Sequence, residues 1–258
     1  MSNSSSSLAS IVVPKERGGW SLALEPVVLG LAAAPSAAGL PLAGAVLAGF
    51  LARRPLKLAV TLPAADPRRG TAWTCAALLA GLALAGVAGS ARLGALDSLW
   101  PLLVAVPFGA AFLWYDLRQA MREAEAELAG SIAFALVPAA FATLAGRPTA
   151  VALSLAALML ARSVPTVLAV RAFLRIRKGQ PGSGWPAFGA AVAAWALTLA
   201  LASRGLVPGL APILVTLLLI RTYVLISPFA PAWSATRVGI MEAVIGAVYV
   251  VGLGLAAH

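Results

Sequence analysis

Four ionisable residues fall inside otherwise apolar runs of the chain: Glu25, Arg162, Arg221 and Glu242. A charge within a bilayer costs about 2.5–3.5 kcal/mol on insertion scales, and it is tolerated where it lines a cavity or meets a partner. At about 1.5 Å per helical residue, Glu25 and Glu242 come about 6–9 Å below the inner membrane boundary, with Arg162 at a similar depth. This placement predicts a buried polar cluster in which Glu25 pairs with Arg162 or Arg53. The plainer alternative is four side chains that each snorkel to the surface, for which glutamate is short.

A second group surrounds a predicted helix end. Ala52-Arg53-Arg54-Pro55-Leu56-Lys57, followed by Asp66-Pro67-Arg68-Arg69, holds five of the nineteen basic residues. Arg53, Arg54 and Lys57 suit a clamp for phosphate or carboxylate, with Pro55 expected to fix the chain where the helix stops. Anchoring to anionic headgroups predicts the same residues. The pattern has an echo, since Leu51-Ala52-Arg53 with Pro55 is matched by Leu160-Ala161-Arg162 with Pro165. Arg171, Arg175 and Lys178, spaced four and three apart, form one helical face and read as a headgroup-facing stripe.

The acidic residues offer a third chemistry. Asp116 and Gln119 fit a capping box that would start the fifth span. Glu123 and Glu127 follow on one helical face, and with Asp116 they could hold a magnesium ion that bridges a diphosphate. A solvated acidic first turn is the plainer and favoured reading of the same residues. Arg17-Gly18-Gly19-Trp20 places a guanidinium, two small residues and an interfacial aromatic at the start of the first span, where Arg17 is a further candidate ligand-binding residue. Cys75 is the only cysteine and His258 the only histidine, so neither a disulfide framework nor a zinc site is expected, and a terminal histidine makes a poor base.

The elements that must position these residues are membrane spans. Of the 258 residues 61% are hydrophobic and 11% charged, with a mean hydropathy of +0.93, far from the composition of a soluble domain. The net charge of +10 comes from basic residues set between apolar runs, which reads as membrane topology and not as a nucleic-acid surface. We expect an all-α polytopic bundle with about nine transmembrane helices at Trp20–Ala37, Pro41–Ala52, Thr71–Ser90, Leu99–Trp114, Leu128–Ala145, Thr149–Ala169, Trp185–Ser203, Pro208–Leu225 and Val238–Ala257. Residues 1–13 read as a disordered cytoplasmic tail and 14–258 as one transmembrane domain. A cytoplasmic amino terminus puts sixteen of the nineteen basic residues inside and the carboxy terminus on the opposite side. Gly39-Leu40-Pro41 and Gly146-Arg147-Pro148, each preceding one of the echoed spans, suggest a parallel repeat of four helices plus four, with one more. Chance matches in an alanine- and leucine-rich chain are the alternative.

Pro14-Lys15-Glu16-Arg17-Gly18-Gly19-Trp20-Ser21-Leu22-Ala23-Leu24-Glu25-Pro26, the Phe50–Lys57 stretch, Glu127-Leu128-Ala129-Gly130 and Ala161-Arg162-Ser163-Val164-Pro165-Thr166 resemble the YwiC-like family of bacterial integral membrane proteins. That resemblance implies a multi-pass protein of the bacterial inner membrane and no particular reaction. The overall plan also looks like that of UbiA-type membrane prenyltransferases, which bind magnesium diphosphate through aspartate-rich connections. Here the first such connection has only Asp66 and the second has no acidic residue.

Three functions stay open at this point. The first is a cytoplasm-facing cavity that binds an amphipathic anion, an isoprenoid or lipid phosphate, with group transfer in the manner of a prenyltransferase. The second is a small-solute transporter or exporter, with Pro26, Pro138, Pro165 and Pro212 breaking helices near a midplane site. The third is a non-catalytic scaffold. Membrane lipids are the expected partners, and magnesium is the one cofactor the carboxylates could take.

Overall fold

The computed structural model describes residues 8–13, 17–121, 123–181, 183–227, 230 and 232–257, with the Arg17 and Gly18 side chains outside the described set. Among the described residues every regular element is helical. The helices are α1 (Leu8–Val12), α2 (Arg17–Ala33), α3 (Gly39–Thr61), α4 (Arg68–Leu93), α5 (Trp100–Leu117, entered through a 3-10 turn at Leu96–Leu99), α6 (Ala124–Ala135), α7 (Val137–Leu144), α8 (Thr149–Arg177), α9 (Trp185–Ser203), α10 (Leu210–Ile226) and α11 (Ala235–Ala256). Each predicted apolar run falls on one of these helices, the fifth run being shared by α6 and α7. Six helical stretches are long and apolar enough to cross a membrane, with shorter apolar helices at Gly19–Ala33 and Leu210–Ile226.

Local sequence explains the interruptions. Pro138 follows the break at Leu136 and has no N–H to carry α6 on, so α7 starts afresh in line with it. Pro55, expected to end the second span, does not. α3 continues through Pro55 to Thr61, where Leu62-Pro63 stops it. One lost backbone bond is tolerated there because α3 packs along α4 and holds the helix on both sides of the proline. Pro212 sits in the first turn of α10, where no intrahelical N–H is missing, and therefore does not break a helix. Part of the stretch read as a tail is α1, whose Ile11 is buried against Ala59 of α3 and Ala72 of α4.

From α2 onward short connections make successive spans antiparallel, with α6 and α7 in line as one span. The main core joins α2, α8, α10 and α11 through Leu29, Leu158, Val215, Tyr249 and Leu253. Gly254 lets α11 lie directly on Ala32 of α2, since a Cβ there would collide with the Ala32 methyl. A second core joins α2, α3 and α7 around Val27, Leu42 and Phe141. Outside these cores the surface is apolar, with Leu84 71% and Leu103 73% exposed, as expected of side chains that face acyl chains.

Candidate functional site

Because the helices alternate in direction, the second half of α8, the end of α10 and the first halves of α2 and α11 share one end of the bundle. Arg162, Arg221, Glu25 and Glu242 meet there in a single network, so the predicted pairing of Glu25 with Arg162 is present. The Arg162 guanidinium donates to Glu242 Oε2 at 3.3 Å, to the Glu242 carbonyl at 2.7 Å and to Glu25 Oε1 at 3.4 Å. Arg221 donates to Glu242 Oε2 at 2.6 Å. Thr166, one turn after Arg162, accepts from both arginines and donates to the Arg162 carbonyl. Arg162 is 3% exposed and Glu242 8%, Arg221 is buried and Glu25 half-buried, so two guanidiniums face two carboxylates and their charges balance. Such balance is what makes burial of four charges tolerable.

Two residues with no role in the sequence reading complete this network. Gly246 lies one turn after Glu242, and a Cβ there would run into the Glu25 carboxylate and the Arg162 guanidinium. Tyr249 is buried on the same helix and donates to the Leu158 carbonyl of α8 at 2.8 Å, fixing α11 against α8. The one legible signal was spacing, since Thr166 and Gly246 each stand four residues beyond a buried charge. A cavity of about 310 Å³ runs beside the network, where Glu25, Ser131, Arg162, Ser163, Thr166 and Glu242 stand on its wall among apolar side chains such as Leu22, Met159, Val167 and Leu174, with Glu127 and Arg171 also on the wall.

Arg53 joins neither Glu25 nor Arg162. Its Nε and Nη2 donate to Asp116 Oδ2 of α5 at 3.1 and 2.8 Å, and Lys57 donates to Asp116 Oδ1 at 2.9 Å. The guanidinium also lies over the Phe112 ring at 4.2 Å from its centroid, with Phe50 at 5.6 Å. Contacts of this kind are worth about 0.5–2 kcal/mol each. Phe112 reaches Arg53 because Gly130 of α6 leaves room for its ring. Here two cations meet one buried carboxylate, and Arg54, half-buried beside them, has no hydrogen-bond or ion-pair partner among the described residues.

This cationic group closes one end of an apolar cavity of about 580 Å³. Small residues create the space: Ala45, Gly49 and Ala52 on one face of α3, Ala80 and Ala83 on α4, and Ala105 and Gly109 on α5. Among the described residues Arg53 is the only charged one on its wall. α4 and α5 both pack against α3 but not along one another, so the cavity has exposed Leu84 and Val106 on its rim and opens sideways through the bundle wall. Phe134 of α6 lines both cavities and packs edge-on against Phe50 and Phe112, which makes it the partition between them.

The carboxylate set proposed for magnesium is not assembled. Asp116 is the penultimate residue of α5, so it caps nothing ahead of α6, and its two oxygens are taken by Arg53 and Lys57. Glu123 is exposed at the start of α6 without a side-chain capping bond, and Glu127 pairs with Arg171 at 3.0 Å. Among the described residues no three His, Cys, Asp or Glu side chains gather in a metal-binding arrangement. Asp66 accepts from the backbone and guanidinium of Arg68, which holds its carboxyl down to about 2 and gives it a local structural partner. Arg17 is the first residue of α2, and its side chain lies outside the described set.

A family model described as YwiC-like protein matches residues 13–142. The chain belongs to the YwiC-like family. The YwiC-like segment contains every residue lining the apolar cavity, together with Arg53, Lys57 and Asp116, whereas Arg162, Arg221 and Glu242 lie beyond it. No curated protein and no solved structure matches the chain.

Proposed function

We propose that this multi-pass membrane protein binds an amphipathic anion, with the hydrocarbon part in the apolar cavity and the anionic head on Arg53, Arg54 and Lys57. The observation that carries the reading is a sideways-opening apolar cavity with an excess of positive charge at one end. An isoprenoid or lipid phosphate has the matching polarity, and guanidinium forks suit its oxygens. Nine crossings with the amino terminus in the cytoplasm of a bacterial inner membrane would place Arg53 at the inner leaflet, since most basic residues then face inward. The echoed Arg–Pro pattern on α3 and α8, each followed by an antiparallel partner helix, supports a parallel repeat of UbiA-type plan. Group transfer has weaker support, because Asp66 is engaged by Arg68 and the acidic residues near α6 do not converge.

The test is mass spectrometry of lipids that copurify with the native protein, Arg53→Ala and Gly109→Leu. The reading expects an anionic lipid in the native sample, depleted at least several-fold in both variants. An unchanged lipid profile in both would remove it.

A further inference from the structure

The apolar cavity leaves unexplained why a second cavity should expose buried charges to polar contact. We infer that Glu25 is a proton-exchanging group, reached by water through the cavity between α2, α6, α8 and α11. This is independent of the amphipathic-anion site.

The first support is the cavity wall. Ser131 Oγ, Arg162 Nε and Glu242 Oε1 are buried and have no protein partner, although almost all such atoms in proteins are paired with protein or water. Their residues are 1%, 3% and 8% exposed and all line this cavity. Toward the helix ends the wall carries the Glu127–Arg171 ion pair, whose side chains are 33% and 22% exposed and so border the surface. The wall therefore carries polar groups both at its exposed end and at Glu25.

The second support is the unequal hold on the two carboxylates. Glu242 serves both arginines, and removing its charge would leave two buried guanidiniums without their shared partner. Glu25 has one ion pair, at 3.4 Å, and Arg162 would keep the Glu242 side chain, the Glu242 carbonyl and Thr166 without it. The facing groups are Arg162 and Arg171 of α8, Glu242 and Tyr249 of α11, Arg221 of α10 and Glu127 of α6. Of these, Tyr249 is bonded to the Leu158 carbonyl, and Glu127 and Arg171 are bonded to one another. α7, which also packs on α2, carries no ionisable residue, and Arg53 and Lys57 of α3 are engaged by Asp116.

In the exchange a hydronium ion gives its proton to the Glu25 carboxylate: one O–H bond of hydronium breaks, one O–H bond on Glu25 forms, and a water molecule is left. The network passes from balanced charge to one net positive, and the contact of Arg162 Nη2 with Glu25 weakens while the same nitrogen still donates to the Glu242 carbonyl. Intramembrane carboxylates in this position serve proton-coupled binding or transport.

Infrared difference spectroscopy of the full-length protein on acidification tests this. A carboxyl C=O band present in the native protein should be missing in Glu25→Gln and retained in Glu127→Gln. A spectrum unaltered by Glu25→Gln overturns the inference, as does a band lost only in Glu127→Gln. Water access is read separately by placing a cysteine at the cavity with Ser163→Cys in a Cys75→Ser background. Labelling by a charged thiol reagent is expected, and its failure in folded protein overturns the proposed route. Elution as a monodisperse species establishes folding for each variant.

Discussion

Two regions begin from the same short pattern, a Leu-Ala-Arg followed by a proline within a long helix, and end with opposite electrostatics. At Arg162 the buried charges cancel, the partners come from α2, α10 and α11, and the adjacent cavity carries ionisable and hydroxyl groups on its wall. At Arg53 two cations share one carboxylate, the Phe50 and Phe112 rings lie against the guanidinium, and the adjacent cavity is apolar. The arginine is the constant and its partners decide the chemistry. A balanced network ties helices together and fits the proton exchange proposed for Glu25, whereas an unbalanced one beside an apolar cavity fits the proposed anion site.

The largest expected effect separates the two directly. Arg162→Leu strands Glu25 and leaves Glu242 with Arg221 alone, and breaking a buried ion pair typically costs about 3–5 kcal/mol. It should abolish or severely lower the thermal transition in detergent. Arg53→Leu leaves Asp116 with Lys57 in a more exposed setting and should lower the melting temperature much less while depleting bound anionic lipid. Equal destabilisation by the two substitutions would break the distinction.

Gly246→Ala probes the balanced network without removing a charge. The new methyl displaces the end of Glu25, so the contact with Arg162 is lost, worth at most about 1.5–3 kcal/mol for a charge-assisted hydrogen bond. A lower melting temperature that Glu25→Ala makes no worse would identify that contact as the cause. Asp116→Asn acts on the other region in the opposite functional direction. It removes the carboxylate that offsets Arg53 and Lys57, lowering stability by about 1–2 kcal/mol as a charged hydrogen-bond partner is lost, and it should increase retained anionic lipid. Reduced retention would mean that Asp116 positions the cations more than it neutralises them.

Much of this organisation was legible in the sequence, and the gaps have physical causes. Apolar runs of membrane length located the helices because each such run satisfies its own backbone. Glu25, Arg162, Arg221 and Glu242 stood out because isolated charges in those runs demand partners, and the structure brings all four together. Asp116 was misread since a carboxylate followed three residues later by glutamine looks like a cap, and only the fold shows that α5 has not yet ended. Pro55 was misread for a related reason: a proline's effect on a helix depends on what packs beside it, and α4 cannot be placed from local sequence. Gly49 and Gly109 gave no signal at all, because a glycine that lines a cavity and one that seats a neighbouring helix look alike until the neighbour is positioned.

That pair also provides the smallest expected change in stability and the sharpest functional contrast. A Cβ at Gly49 or Gly109 meets nothing within 4 Å, and both residues line the apolar cavity. Gly49→Leu and Gly109→Leu therefore place a side chain into open space instead of into a neighbour. Each removes a glycine from a helix interior, a change that itself favours folding by up to about 1 kcal/mol. Melting temperature should hold or rise slightly while copurifying anionic lipid falls, although every cation at Asp116 is still in place. Loss of lipid with unchanged charge assigns the hydrocarbon part of the ligand to the cavity. Retention of lipid would instead assign binding to the cationic surface alone, and the apolar cavity would have no part in it.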